Sequence, residues 1–376
     1  MRVDGLRILL GGIPLGCDNI GDEAIIACVV RMLKQSLPGA SFTVATADAA
    51  TADRLGVDVV PPCGFQGQGT GGFAEAVRRH DAYVWCGATG LSDYPHVGLD
   101  LLETAQRAGV ATFVWGVGMD DELNPVFFKV YGKKRAALRV IGLAGLYEGW
   151  LRSRLAKRIS SILPRCKGVW LRDPQSAAVL ASMGFPGAGV AADTAILLRP
   201  SKVRERTSRV PTLGLCISSQ RQVEDLDGVR GMIESVRAVG GRVLGIPMNP
   251  KTDRALLDRL GVECIAGGTP EAVIDAAADC DVVLSSRLHL LILAANAGTP
   301  ILGISRGSKL GNWLTNFNRK VEGSVRDCDW GAVTRHVLAE FADRGDWDNV
   351  RAAAYARLDA RLEKARAEFV KRLEDL

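Results

Sequence analysis

A chain of 376 residues, 47% hydrophobic and 24% charged, is too long for one small core and too apolar to stay disordered. Its 42 glycines and 6% aromatics suit an α/β protein with many tight strand-to-helix turns better than an all-β sandwich. The formal charge of +5 is concentrated: residues 122–167 carry eleven Lys and Arg against Glu122 and Glu148, a local +9 that leaves the remainder slightly acidic, so no nucleic-acid partner is expected.

No apolar run reaches the ~18 residues of a membrane span, and the opening MRVDGLRILLGGIP is too short and glycine-broken to read as a signal peptide. Nine scattered cysteines form no CxxC pair, which argues against a disulfide framework and a zinc ribbon. The expectation is a cytoplasmic protein with reduced thiols, no metal and no cofactor.

Strand and helix signals alternate along the first half. Strands are predicted at 6–10, 41–45, 82–85, 110–115 and 168–171, and helices at 21–35, 98–108 and 174–182, the last with Asp173 as N-cap and Pro174 at its first position. The polar stretch RPSKVRERTSRVP marks a linker at 201–210. Beyond it come strands at 212–217, 242–246, 264–265, 281–284 and 300–304, and helices at 225–238, 251–260, 270–278 and 287–297. The reading is two doubly wound Rossmann-like domains facing a cleft: 1–200 with a basic helical insertion at about 122–167, and 211–345, followed by an amphipathic helix at 346–376.

Four loops follow strand ends, where ligands bind in such sheets. The first, Gly11 to Glu23, is glycine-rich and leads into a helix, but has neither the dinucleotide spacing nor the Lys of a phosphate loop. Asn19 or Asp18 as cap and Asp22 and Glu23 as dipole partners is its plainer reading. In the second, Cys86-Gly87-Ala88-Thr89-Gly90, a ligand approach and a simple turn are equally open. The third places Arg172 at a strand end before a helix N-terminus, a position suited to gripping an anion, with an Arg172–Asp173 surface pair as the alternative. The fourth, Ser285-Ser286-Arg287-Leu288-His289, sets an Arg and a His at the opening of an apolar helix and reads as an anion site with a titratable member. Lys309, after the next strand, extends that positive lip, while His80, His96 and His336 read as structural.

These residues resemble one family. Asn-Ile-Gly-Asp-Glu-Ala in the first loop, Arg-Asp-x-x-Ser mid-chain, Ala192-Asp193-Thr194-Ala195, and Ser-Arg-Leu-His running on to Gly298-x-Pro300 together look like the polysaccharide pyruvyl transferases. The resemblance implies a GT-B-like fold, phosphoenolpyruvate as donor and co-substrate, and a pyruvate ketal on a sugar of a cell-surface polysaccharide or its lipid-linked precursor. It also implies that Arg287 and His289 match the donor-binding Arg and His, with Arg172 the mid-chain Arg. Cys86-Gly87-Ala88 departs from the family's usual Gly-Gly-Gly, Ser218-Ser219-Gln220 from its Arg, and Asn249 from its His or Gln.

On this reading Arg172 and Arg287 clamp phosphoenolpyruvate, with Ser286 and Lys309 assisting. His289, Asp22 and Glu23 are the candidates for proton transfer, and Asn19, Gly21, Gly87, Thr89 and Gly90 form the acceptor-side loops. The aromatic and basic mixture of 122–167 is read equally as a solvated insertion or as a contact with an anionic membrane, which would make the protein peripheral at the inner face of the plasma membrane. A nucleotide-sugar glycosyltransferase and a non-catalytic member of a polysaccharide assembly complex are the alternatives.

Overall fold

The computed structural model describes residues 5–65, 69–130, 143–201, 210–218, 225–305 and 307–376. The expected linker thus falls mostly outside the described residues, as does 131–142 of the basic insertion. Seven parallel strands form the first sheet: β1 (Arg7–Gly11), β2 (Ser41–Ala45), β3 (Asp58–Val60), β4 (Ala82–Cys86), β5 (Ala111–Val117), β6 (Gly168–Leu171) and β7 (Gly189–Val190), in the order β3-β2-β1-β4-β5-β6-β7. Five form the second: β8 (Thr212–Cys216), β9 (Arg242–Gly245), β10 (Val282–Ser285), β11 (Ile301–Ser305) and β12 (Val321–Ser324), in the order β12-β11-β10-β8-β9.

The central strands β4, β8 and β10 are buried along their whole length, as parallel strands covered by helices on both faces must be. Each sheet has its own core. Trp85, Leu99, Val114 and Ile159 belong to the first, and Leu215, Ile233, Leu257 and Leu284 to the second. The order of strands reverses between β1 and β4 in one sheet and between β8 and β10 in the other. Those reversals open crevices at the carboxyl ends of the strands.

The division into compact units is not linear along the chain. Unit 1 comprises Met1–Cys17, Ile25–Thr194 and Ala360–Leu376; unit 2 comprises Asp18–Ala24 and Ala195–Asp359. The first residues of the helix Ile20–Ser36 are therefore counted with unit 2, and the second part of the helix Trp347–Glu374 with unit 1.

That last helix packs back onto the chain. In unit 2 its Tyr355 hydroxyl donates to Asn296 Oδ1, while Asn296 Nδ2 donates to the carbonyls of Ala195 and Leu198 at 2.8 and 2.9 Å. In unit 1 Phe369 stacks on Trp115 at 4.7 Å between centroids and touches Phe113 and Trp170. Phe369 has no exposed surface, so Phe369→Ala is expected to destabilise the protein by ~3–5 kcal/mol, read from denaturant unfolding.

Candidate active site

The second sheet's reversal brings the ends of β8 and β10 together, and serine hydroxyls build the turn there. The Ser286 N–H donates to the Cys216 carbonyl at 3.0 Å, and the Ser218 N–H donates to the Ser286 hydroxyl at 2.8 Å. Ser285 Oγ accepts the Arg287 N–H at 2.8 Å and donates to the Arg287 carbonyl at 3.1 Å, fixing the backbone before the helix Leu288–Asn296 starts. Ser286 is buried, so part of its hydrogen-bonding capacity is spent on the loop.

Arg287 is held by a residue that the sequence did not single out. Its Nε and Nη2 donate to the two carboxylate oxygens of Asp253 at 3.0 and 2.7 Å, and Asp253 is fully buried. A side-on bidentate pair of this kind sets the guanidinium plane as well as its place. Asp253 Oδ2 also accepts the Asn249 N–H at 3.0 Å and faces the Cys216 thiol at 3.6 Å. Burial, followed by the Asp253 charge, pushes that thiol far up, so Cys216 stays neutral. Asn249, one of the departures from the family pattern, accepts the N–H groups of Lys251 and Thr252 at 3.0 and 2.8 Å and so starts the helix Thr252–Arg259.

The first loop supplies the rest of this cluster, in unit 2. Ile20 N–H donates to the Met248 carbonyl at 3.0 Å, and Lys251 pairs with Asp18 at 2.5 Å. Asn19 caps the helix Ile20–Ser36: its Oδ1 accepts the Gly21 N–H at 3.2 Å, and its Nδ2 donates to Asp22 Oδ2 at 2.7 Å. Gly21 lies against the His289 ring, and a Cβ there would stand 2.3 Å from Nδ1. The sequence expectation put Asn19 and Gly21 on an acceptor side apart from His289; the structure puts Gly21 against the His289 ring.

Asp22 is 3% exposed, and burial pushes its carboxyl up to about 6 against the opposing charges of His289 and Lys309 and the Asn19 bond. Glu23 follows it in the first helical turn, half-buried. Lys309 opens the helix Ser308–Leu314 after β11. Asp22, His289 and Lys309 therefore form one electrostatic neighbourhood, at the same end of the sheet as Arg287. Among the described residues no group of His, Cys, Asp and Glu is arranged to hold a metal ion.

Arg172 differs from the expected anion grip. It is 6% exposed and sits among carboxylates, with Nε 3.3 Å from Asp173 and Nη1 3.8 Å from Asp193. Burial lowers its pKa, but the charges of Asp173, Asp193 and Asp120 together more than offset this and hold it above the ordinary value. Gly118 makes room for it: a Cβ there would meet Nη2 at 2.4 Å. The expected surface pair with Asp173 thus exists, but as part of a buried cluster. Asp173 is also the N-cap of Pro174–Ser182, accepting the Ser176 N–H at 2.7 Å.

The remaining residues singled out from sequence, Gly87, Thr89 and Gly90, lie in unit 1 beyond β4. Gly87 has φ +59 and packs on Ile25, and Gly90 lies against the Trp85 indole. Their small size thus answers to packing within the unit. His80 bonds Ala76 and Thr43, His96 stacks on Phe128, and His336 pairs with Glu322.

A family model described as polysaccharide pyruvyl transferase matches residues 19–308, and the chain belongs to that family. No curated protein matches. Among solved structures, the glycotransferase of kitacinnamycin is similar with a TM-score of 0.57 at 12% identity, covering 99% of this chain and 100% of its own. The calicheamicin glycosyltransferase CalG4 has a TM-score of 0.55 at 14% identity and covers 100% and 99%. A putative UDP-N-acetylglucosamine 2-epimerase from Listeria monocytogenes has a TM-score of 0.58 at 11% identity and covers 93% and 91%. These likenesses establish the fold, two Rossmann-like domains of the GT-B kind, and nothing of the chemistry.

A Cβ at Gly21 would meet the His289 ring and its Cβ at 2.3 to 2.8 Å, so Gly21→Ala is expected to displace His289, to lower the melting temperature and to reduce activity at least about tenfold, checked by pairing melting curves with turnover. A carboxyl raised from 3.8 to about 6 favours the fold fully below the lower value and loses that contribution as pH rises through the upper one. Asp22→Asn is therefore expected to match the parent at about pH 4 and to exceed it by up to ~3 kcal/mol at about pH 8. Arg172→Ala leaves buried carboxylates unanswered and is expected to cost ~3–5 kcal/mol; an unchanged melting temperature would return Arg172 to ligand binding.

Proposed function

We propose that this member of the polysaccharide pyruvyl transferase family takes phosphoenolpyruvate as donor and joins its three-carbon unit to two hydroxyls of a saccharide, as a ketal, releasing phosphate. The acceptor is a sugar of a cell-surface polysaccharide or of its lipid-linked precursor. The observation carrying this reading is the cluster in unit 2, where Arg287, His289 and Lys309 stand with a buried carboxyl, Asp22, that titrates near neutrality.

The donor bears a carboxylate and a phosphate, and fixed cations are the groups that hold both. Arg287 is already oriented by Asp253, so little side-chain freedom is lost on binding. Lys309 adds a second cation, and Ser286 shapes the loop beneath them. In ketal formation two hydroxyl protons are released, one ending on the former vinyl carbon and one leaving with phosphate. His289 serves the phosphate side of that exchange. Asp22, ionised above about pH 6, is suited to take a proton from an attacking hydroxyl, with Glu23 next to it. Arg172 is assigned to holding the Gly118, Asp173 and Asp193 segments together, since it is buried among three carboxylates, Asp173, Asp193 and Asp120.

Phosphoenolpyruvate is expected to raise the melting temperature by mass action. His289→Asn and Lys309→Ala should weaken that shift, and Arg287→Lys, which keeps a charge beside Asp253 but loses the planar edge, should weaken binding about tenfold or more. A shift with a uridine diphosphate sugar and none with phosphoenolpyruvate would instead assign the site to nucleotide-sugar glycosyl transfer. Mass spectrometry of treated saccharides for the added pyruvate completes the test.

A further inference from the structure

Eleven large hydrophobic residues are exposed among the described residues, and six of them lie in one region of unit 1: Tyr94, Val126, Phe127, Leu143, Leu146 and Trp150. They are joined by contacts. The Tyr94 ring meets Phe127 at 6.4 Å, the short helix Pro125–Phe128 packs beside the helix Ala144–Ile162, and the Val130 N–H donates to Glu148 at 3.2 Å. Tyr147 stacks on Trp150 at 5.7 Å. Leu146 and Trp150 are 70% and 51% exposed, far more than a soluble surface needs from side chains of that size.

The helix Ala144–Ile162 changes character along its length. Leu155, Ile159 and Ile162 are buried and fasten its second half to the unit's core, whereas Leu146 and Trp150 one turn apart stand outward. Arg154, a further turn on, lies over the Trp150 ring at 5.6 Å, and Lys157 follows on the exposed side. The described parts of 122–167 carry Lys129, Arg152, Arg154, Lys157, Arg158, Arg165 and Lys167 against Glu122 and Glu148. Aromatic and aliphatic side chains with cations beside them, on a rigidly anchored helix, match the headgroup boundary of an anionic bilayer: apolar tips enter the acyl edge and cations remain with the phosphates.

We propose that this face, centred on Leu146 and Trp150, docks the protein on an anionic phospholipid surface. No helix among the described residues is long and apolar enough to cross a membrane, so the contact is a lateral one. This docking surface uses none of the residues assigned to the donor, and stands whether or not phosphoenolpyruvate is the substrate.

The full chain is to be sedimented with vesicles of phosphatidylcholine alone and of phosphatidylcholine mixed with phosphatidylglycerol. Binding is expected only to the mixed vesicles, weakening as salt is raised. Leu146→Asp with Trp150→Asp should reduce it about tenfold or more, and Arg154→Glu with Lys157→Glu should also reduce it, with melting temperatures unchanged because all four side chains are exposed. Bromine-labelled lipid should quench the parent more than Trp150→Phe. Absence of binding at low salt, equal binding by the aspartate variant, or a concentration-dependent dimer removed by that variant in place of vesicle binding would each overturn the proposal.

Discussion

A carboxylate with no exposed surface is among the most costly groups a fold can contain, and Asp253 is one. It is tolerated because Arg287 answers it with two parallel hydrogen bonds and the Asn249 amide adds a third. Removing the charge of one partner of such a pair leaves the other buried and unanswered and typically costs ~3–5 kcal/mol, so neither residue can be replaced alone by an uncharged one without that cost. The pair joins the start of the helix Thr252–Arg259 to the turn after β10, the two sides of the crevice in that sheet. The position of Arg287, and through the following helix that of His289, rests on this constraint.

The neighbouring Asp22 follows the opposite logic. Its burial is answered only partly, by Asn19 and by charges at His289 and Lys309, and the cost remains as a raised pKa. A fully answered carboxylate would be more stable and of less use for moving protons at neutral pH. Asp253 and Asp22 are thus two buried acids in one unit with different roles, set by how completely their charge is met.

Much of the fold was legible in the sequence. Strands such as Ser41–Ala45 and Gly168–Leu171 and helices such as Pro174–Ser182 and Pro270–Ala278 follow from apolar runs, capping residues and prolines, and they lie where those signals place them. Edge strands escaped: Asp58–Val60, Gly189–Val190 and Val321–Ser324 are short, half-exposed and lack an apolar run. The site was legible in its residue types but not in its grouping. Asp253 looked like one charge among several on a helix, because its partner lies 34 residues away and only the sheet order brings them together. Its place in the first turn after a strand's carboxyl end, the same as that of Asp22 after β1, was the available signal. The association of 18–24 with unit 2 had none, since the loop that contains them joins a strand and a helix of the first series.

The interleaved composition of the two units bears on how the chain emerges from the ribosome. Every strand of the first sheet is made before residue 191, yet the aromatic cluster on Trp115 is completed by Phe369, which follows the last strand of both sheets. Residues 18–24 likewise wait for partners near 248–289, more than half the chain later in synthesis. Unit 1 cannot finish as a nascent domain before 360–376 are made, after all of unit 2, so apolar surface around Trp115 stays uncovered while unit 2 is translated and holdase chaperones have a defined interval in which to act.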